Sequence, residues 1–171
     1  MALKSEAQAF VDRYRLQKTK LKEYKLFANK EFQIIVSGIG ILNAKNATTA
    51  LLSSFEITEN DLILNIGICG ADSSYEIGEL IEISSIEYKE NSYTLNNKNT
   101  KIINCLDEEM SESRYKIVDM ESYGFYEAAK GMKNAYIFKI VSDHFEPKTV
   151  TKDRTKNLIF NQIDAIMKRV K

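Results

Sequence analysis

The chain has 171 residues, the length of one ordinary domain. Its 24 Lys and Arg balance 24 Asp and Glu, which argues against a dedicated nucleic-acid binder with its usual basic excess. A hydrophobic content of 44% supports a real core and excludes a disordered chain. No stretch reaches the roughly 20 apolar residues of a membrane span, and Lys4 and Glu6 interrupt any signal-peptide run. These features read as a soluble, cytoplasmic protein with a single domain over residues 1–171, without nucleic-acid or membrane partners.

Ala2 to Arg15 reads as a helix with Ala7, Phe10, Val11 and Tyr14 on one face. Two short strands follow, Lys22–Ala28 and Glu31–Ser37, around an Asn29-Lys30 turn. The basic run Lys18–Lys25 reads as a solvated strand face. After Gly38-Ile39-Gly40, a helix from about Leu42 to Phe55 turns Ala44, Ala47, Leu51 and Phe55 inward. Asp61–Ile66 is a continuous apolar run, as in a strand buried on both faces, and Gly67 is expected to end it. Glu79–Ser84 is a strand, and Ile86–Tyr88 with Ser92–Leu95 a hairpin around Asn91. Lys101–Cys105 and Lys116–Met120 are strands, the latter running into a helix from Glu121 to Lys130. Ala135–Val141 is the last buried strand. A C-terminal helix from about Thr151 to Val170 carries Leu158, Ile159, Ile163, Ile166, Met167 and Val170 on one stripe.

Buried strands alternating with amphipathic helices predict a single-domain α/β fold of three αβα layers with a mostly parallel central sheet. Ligands of such sheets sit beyond the carboxyl ends of the strands. Four of these ends carry Ser37-Gly38-Ile39-Gly40, Gly67-Ile68-Cys69-Gly70, Asp119-Met120-Glu121 and Ser142-Asp143-His144. Singly, each glycine pair reads as a turn, Glu121 as a helix-dipole partner and Asp143 as a cap. Together they make a polar, concave site suited to a hydroxylated ligand. His144, the only histidine, reads as a loop residue beside it. Cys69 and Cys105 lack metal-ligand spacing, so neither a metal nor a cofactor is expected.

In order along the chain, Ala2-Leu3-Lys4-Ser5-Glu6-Ala7, Ser37-Gly38-Ile39-Gly40 with Ala44, Asn65-Ile66-Gly67-Ile68-Cys69-Gly70, Ile77-Gly78-Glu79, Val118-Asp119-Met120-Glu121-Ser122 and Val141-Ser142-Asp143 resemble the motifs of the nucleoside phosphorylase/nucleosidase family. The likeness is greatest to its methylthioadenosine/adenosylhomocysteine nucleosidase branch. The resemblance implies hydrolysis of the N-glycosidic bond of a purine nucleoside. It makes Asp143 the general acid toward the purine's imidazole-ring nitrogen and Glu6 the base that activates water. Glu121 would hold the ribose hydroxyls, Met120 would pack on the sugar and Ser142 would position Asp143, with Gly40, Gly67 and Ile68 also at the substrate. It further implies a homodimer acting in nucleoside catabolism and methionine salvage.

The chain also departs from that pattern. The family's first strand precedes the motif that begins here at Ala2, so either the chain starts upstream or the sheet lacks that strand. In the latter case a neighbour such as Asp61–Ile66 is left with an exposed or repaired edge. The segment between Cys105 and Val118 is short, leaving Met110 and Tyr115 as substitutes for a base-stacking aromatic. Ile68 replaces a small hydroxyl residue, and Lys139 stands where the branch often has Arg. Two alternatives follow. One is a phosphorylase, although Arg13, Arg15, Arg114, Arg154 and Arg169 match no phosphate motif. The other is a catalytically weak, nucleoside-binding relative.

Overall fold

The computed structural model describes residues 1–95, 100–112 and 114–170. Helix α1 (Lys4–Tyr14) buries Ala7 and Phe10 on the expected stripe, and Arg15 at φ 53° ends it. Strands β1 (Gln17–Leu21), β2 (Tyr24–Ala28) and β3 (Gln33–Val36) form one antiparallel sheet. The single strand predicted over Lys22–Ala28 is thus preceded by another. Lys22, at φ 52°, opens a two-residue turn between them. Exposed from Gln17 to Lys20, β1 offers no apolar alternation to read.

Helix α2 (Ile41–Ser54) leads to β4 (Ile63–Ala71). Next come β5 (Leu80–Ile83), β6 (Ser85–Tyr88), β7 (Asn91–Thr94), β8 (Ile102–Cys105) and β9 (Ile117–Asp119). Helix α3 (Ser122–Ala129), β10 (Ala135–Asp143) and α4 (Lys152–Arg169) complete the chain. The second sheet has the order β5-β10-β4-β9-β8-β6-β7. It is mixed rather than mostly parallel. The β10–β4, β9–β8 and β8–β6 pairs are parallel, whereas β5–β10, β4–β9 and β6–β7 are antiparallel. β7 returns from β6 by a hairpin, β5 is a short edge strand, and the interior β4–β9 pair meets only at Gly70 and Ala71. β5 and β6 are separated only by Ser84 yet stand far apart in the strand order, so the sheet curls to bring them together.

Three local corrections bear on the site or its frame. Gly67 does not end β4, which continues to Ala71. β10 runs past Val141 to Asp143 through a register shift. The β6–β7 turn lies at Lys89 and Glu90, both at positive φ, so Asn91 already belongs to β7.

Helices cover both faces, as the three-layer expectation requires. α1 and α4 pack on one side, where Phe10, Ile159, Ile163 and Ile166 meet Ile66, Phe138 and Ile140. α2 and α3 pack together on the other, where Phe125 and Ala129 join Ile83, Ile103 and Ile137. Their close crossing depends on Gly124, since a Cβ there would fall 2.0 Å from the Ile41 carbonyl oxygen. Among the described residues no strand precedes α1. β4 pairs with β10 along Ile63–Gly70 but with β9 only at Gly70 and Ala71. Among the described residues no other strand pairs with β4 on that side before Gly70. No helix of the described residues is long and apolar enough to cross a membrane.

Candidate active site

The ends of β4, β9 and β10 converge with the start of α1 on an open cavity of ≈ 260 Å³. Glu6 enters from the first turn of α1. Its Oε2 accepts the Leu3 N–H at 2.9 Å, which closes the helix start, and its Oε1 accepts the Ile68 N–H at 3.0 Å. Gly67 makes that approach possible, because a Cβ there would stand 2.9 Å from Glu6 Oε1. Each carboxylate oxygen keeps a second lone pair for a ligand or water.

Glu121 sits where β9 passes into α3. Its Oε1 accepts the Gly40 N–H at 3.0 Å. Gly40 opens α2 at φ 104°, a conformation natural to glycine. The carboxyl group therefore faces the positive end of a helix. Asp143 lies beyond the irregularity in β10, a common device for re-aiming a side chain at a site. Its Oδ1 accepts the Glu146 N–H at 2.8 Å. The Ser142 hydroxyl stands 2.6 Å from Asp143 Oδ2 and 3.0 Å from the Cys69 carbonyl oxygen.

One cation supports these acids from beneath. Lys139 is fully buried in β10 and pairs with Asp119 at 2.7 Å. Asp119 also accepts the Ser122 N–H at 2.9 Å and its hydroxyl at 2.6 Å. Burial by itself lowers the Lys139 pKa, but Asp119, Glu121 and Glu6 together outweigh it and hold the ammonium charged. Burial pushes Glu121 up to about 7, opposed by Lys139 and the Gly40 N–H and reinforced by Asp119 and Glu6. Burial also raises the Cys69 and Cys105 thiols, which makes them inert packing groups.

Glu6, Ile68, Met120, Glu121, Ser142 and Asp143 all line the cavity. Gly40 and Gly67, expected at the substrate, are not among the lining residues. Gly40 holds Glu121, and Gly67 leaves room for Glu6. Met110 lines the cavity, whereas Tyr115 is exposed beside β6 and β8. His144 turns its Nδ1 to the Ala71 carbonyl, 3.0 Å away. The aromatic wall comes instead from Phe145, 5% exposed and held at φ 62°. Positive φ is uncommon for a bulky side chain. Its position two residues after Asp143 was the only available sequence signal. Leu106, Val118 and Val150 add apolar surface.

No sequence family matches the chain, and no curated protein matches it. Solved structures do resemble it. The methylthioadenosine/adenosylhomocysteine nucleosidase of Colwellia psychrerythraea, in complex with adenine, superposes with a TM-score of 0.74 at 17% identity, covering 95% of this chain and 92% of that one. The corresponding nucleosidase of Neisseria meningitidis, in complex with methylthio-immucillin-A, gives 0.77 at 13% identity, covering 98% and 96%. The futalosine hydrolase of Helicobacter pylori gives 0.75 at 12% identity, covering 98% and 95%. The chain has the fold shared by these hydrolases.

Proposed function

We propose that this chain belongs to the nucleoside phosphorylase/nucleosidase family and hydrolyses the N-glycosidic bond of a purine nucleoside of the methylthioadenosine/adenosylhomocysteine type. One observation carries the reading: Glu6, Glu121 and Asp143, brought from three distant parts of the chain, face one cavity, each anchored by a backbone N–H. Cleavage passes through an oxocarbenium-like sugar. Glu121 accepts hydrogen bonds from the ribose hydroxyls. As the bond between the anomeric carbon and the base breaks, its electron pair leaves with the base, and Asp143 delivers a proton to the imidazole-ring nitrogen. Water adds to the anomeric carbon and gives its proton to Glu6.

The Ser142 geometry suits this acid role. A hydroxyl has one proton, and the Cys69 carbonyl can only accept. Ser142 donates that proton to the Cys69 carbonyl or to Asp143 Oδ2, and its position between the two fixes the orientation of the Asp143 carboxyl group. Phe145 supplies an apolar face for the base, and Met120 one for the sugar. Phosphorolysis fits less well. Among the described cavity-lining residues there is no Arg or Lys, while Glu108 and Glu109 add to the acidic lining, and phosphate would meet like charge. The same reading carries a homodimer, which light scattering of the purified chain checks.

Release of free base from 5′-methylthioadenosine, adenosine and inosine, with and without phosphate, tests the proposal. It expects base and free sugar without phosphate. Strict phosphate dependence with formation of a sugar phosphate would overturn it.

A further inference from the structure

The charge around the active cavity is one-sided. Glu6, Glu108, Glu109, Asp119, Glu121 and Asp143 all line it, and among the described lining residues there is no Arg or Lys. Lys139, buried beneath, pairs with Asp119 at 2.7 Å, and that pair is neutral as a unit. Among the described residues none of the other five carboxyl groups pairs with a Lys or Arg. Glu108 and Glu109 stand on the segment after β8, where their neighbour Asp107 is held toward the β6–β7 hairpin. Its Oδ1 accepts the Tyr88 hydroxyl at 3.0 Å, and its Oδ2 stands 3.5 Å from Lys89 Nζ. Asp107 does not line the cavity, whereas Leu106, Glu108, Glu109 and Met110 do. The acid that has a cation is turned away, and the two that have none face the site.

A second observation points to a ligand independently. Glu121 is 8% exposed, yet only its Oε1 is engaged, by the Gly40 N–H. Among the described residues nothing bonds its Oε2, so this oxygen waits for a donor from the cavity. Burial chiefly, with the like charges of Asp119 and Glu6, pushes its pKa up against the pull of Lys139. A cleft lined by charge of one sign, with low-dielectric walls, concentrates the field on whatever enters.

We propose that the cavity selects its nucleoside by charge: it prefers a 5′ substituent that carries an ammonium group over a neutral one, and turns away a 5′ carboxylate or phosphate. The inference rests on the nucleoside-hydrolysing reading of this cavity and names the substrate class within it. Ribose hydroxyls are uncharged, so they donate to Glu121 without offsetting the negative potential. An ammonium group brings a positive charge and three N–H donors to acids that have no cation of their own. Glu6, Glu121 and Asp143 are committed to the sugar and the base, which leaves Glu108 and Glu109 for the substituent. Both are exposed, so their side chains have room to turn toward it. An anionic substituent meets the same carboxylates with no lining cation to receive it. Selection of this kind works through the summed field and therefore weakens as salt is added.

Equilibrium binding to the full chain carrying Asp143→Asn, which slows turnover, tests this. The ligands share adenine and ribose and differ at the 5′ position: adenosine, its 5′-amino-5′-deoxy analogue of nearly the same shape, adenosine-5′-carboxylate and adenosine 5′-monophosphate. At about 20 mM salt the amine is expected to bind about ten-fold more tightly than adenosine, and the two anions about ten-fold more weakly, the scale of a few partly screened unit charges. At about 500 mM salt the four affinities should draw together. Glu108→Gln with Glu109→Gln should narrow the gap between amine and carboxylate by about three-fold or more. Should Asp143→Asn fail to fold, the rise in thermal midpoint that each ligand gives the wild type supplies the same order. Equal affinity for amine and carboxylate, with adenosine bound, overturns this inference alone. A gap unchanged by salt and by the double variant overturns it as well. Failure of every nucleoside to bind, 5′-methylthioadenosine included, overturns the nucleoside reading beneath it.

Discussion

Glu121 is the side chain whose environment speaks most directly to a measurable property. Burial raises its pKa from 4.5 to about 7, so the folded protein keeps a proton that the unfolded chain releases as pH climbs through that window. Stability of the ligand-free protein therefore falls between about pH 4.5 and 7 and levels off above, by at most about 3 kcal/mol from this group. Glu121→Gln, which mimics the protonated form, should flatten this segment of the pH–stability curve measured by urea unfolding. Ligand binding runs the other way. A carboxylate accepts from two ribose hydroxyls better than a carboxyl group does, so affinity for ribosides should weaken as pH drops below about 7. The Gln variant should lose riboside affinity by roughly 1.5–3 kcal/mol, with a smaller loss for 2′-deoxyribosides. Equal losses for both would remove Glu121 from the ribose. The meeting of these side chains at one cavity was legible in the sequence where a short motif carries them, as in Asp119-Met120-Glu121-Ser122 and Ser142-Asp143. Lys139 was not legible as a buried cation. Nothing local marks it, and its partner Asp119 is supplied by another strand.

The supporting elements show why contacts beyond the cavity matter to it. Gly124 of α3 lies against the first turn of α2, the turn whose Gly40 N–H holds Glu121. Gly124→Ala should force the two helices apart. A destabilisation of about 1–3 kcal/mol is expected from such overpacking, read as a lower thermal midpoint, together with weaker riboside binding through the displaced Gly40. If binding and stability both stay at wild-type values, the crossing is looser than described. Helices and buried strands were readable because apolar periodicity survives in a single chain, as in the Ile159, Ile163 and Ile166 stripe of α4. The ends of strands were not. β4 runs through Gly67 because the space of a missing Cβ is taken by the carboxylate of Glu6, which no local pattern announces. β10 continues past Val141 through a register shift set by its neighbour β4. The Lys22 turn is likewise a conformational choice within a uniformly polar stretch.

At the scale of the molecule, two sheets share one set of helices. The mixed direction of the larger sheet was hidden from the sequence because pairing depends on which strands meet, and β5 pairs with β10, an element far from it along the chain. In the proposed reaction Asp143, at the end of the bulged β10, protonates a departing purine in this cavity. Base release by wild type and Asp143→Asn, in single turnover at saturating 5′-methylthioadenosine, measures this directly. The variant is expected still to bind the nucleoside but to release base roughly 10² to 10⁴ times more slowly, about 3–5 kcal/mol of barrier, with a smaller deficit for a nucleoside whose base departs without protonation. Equal rates for the two proteins on every nucleoside would contradict it.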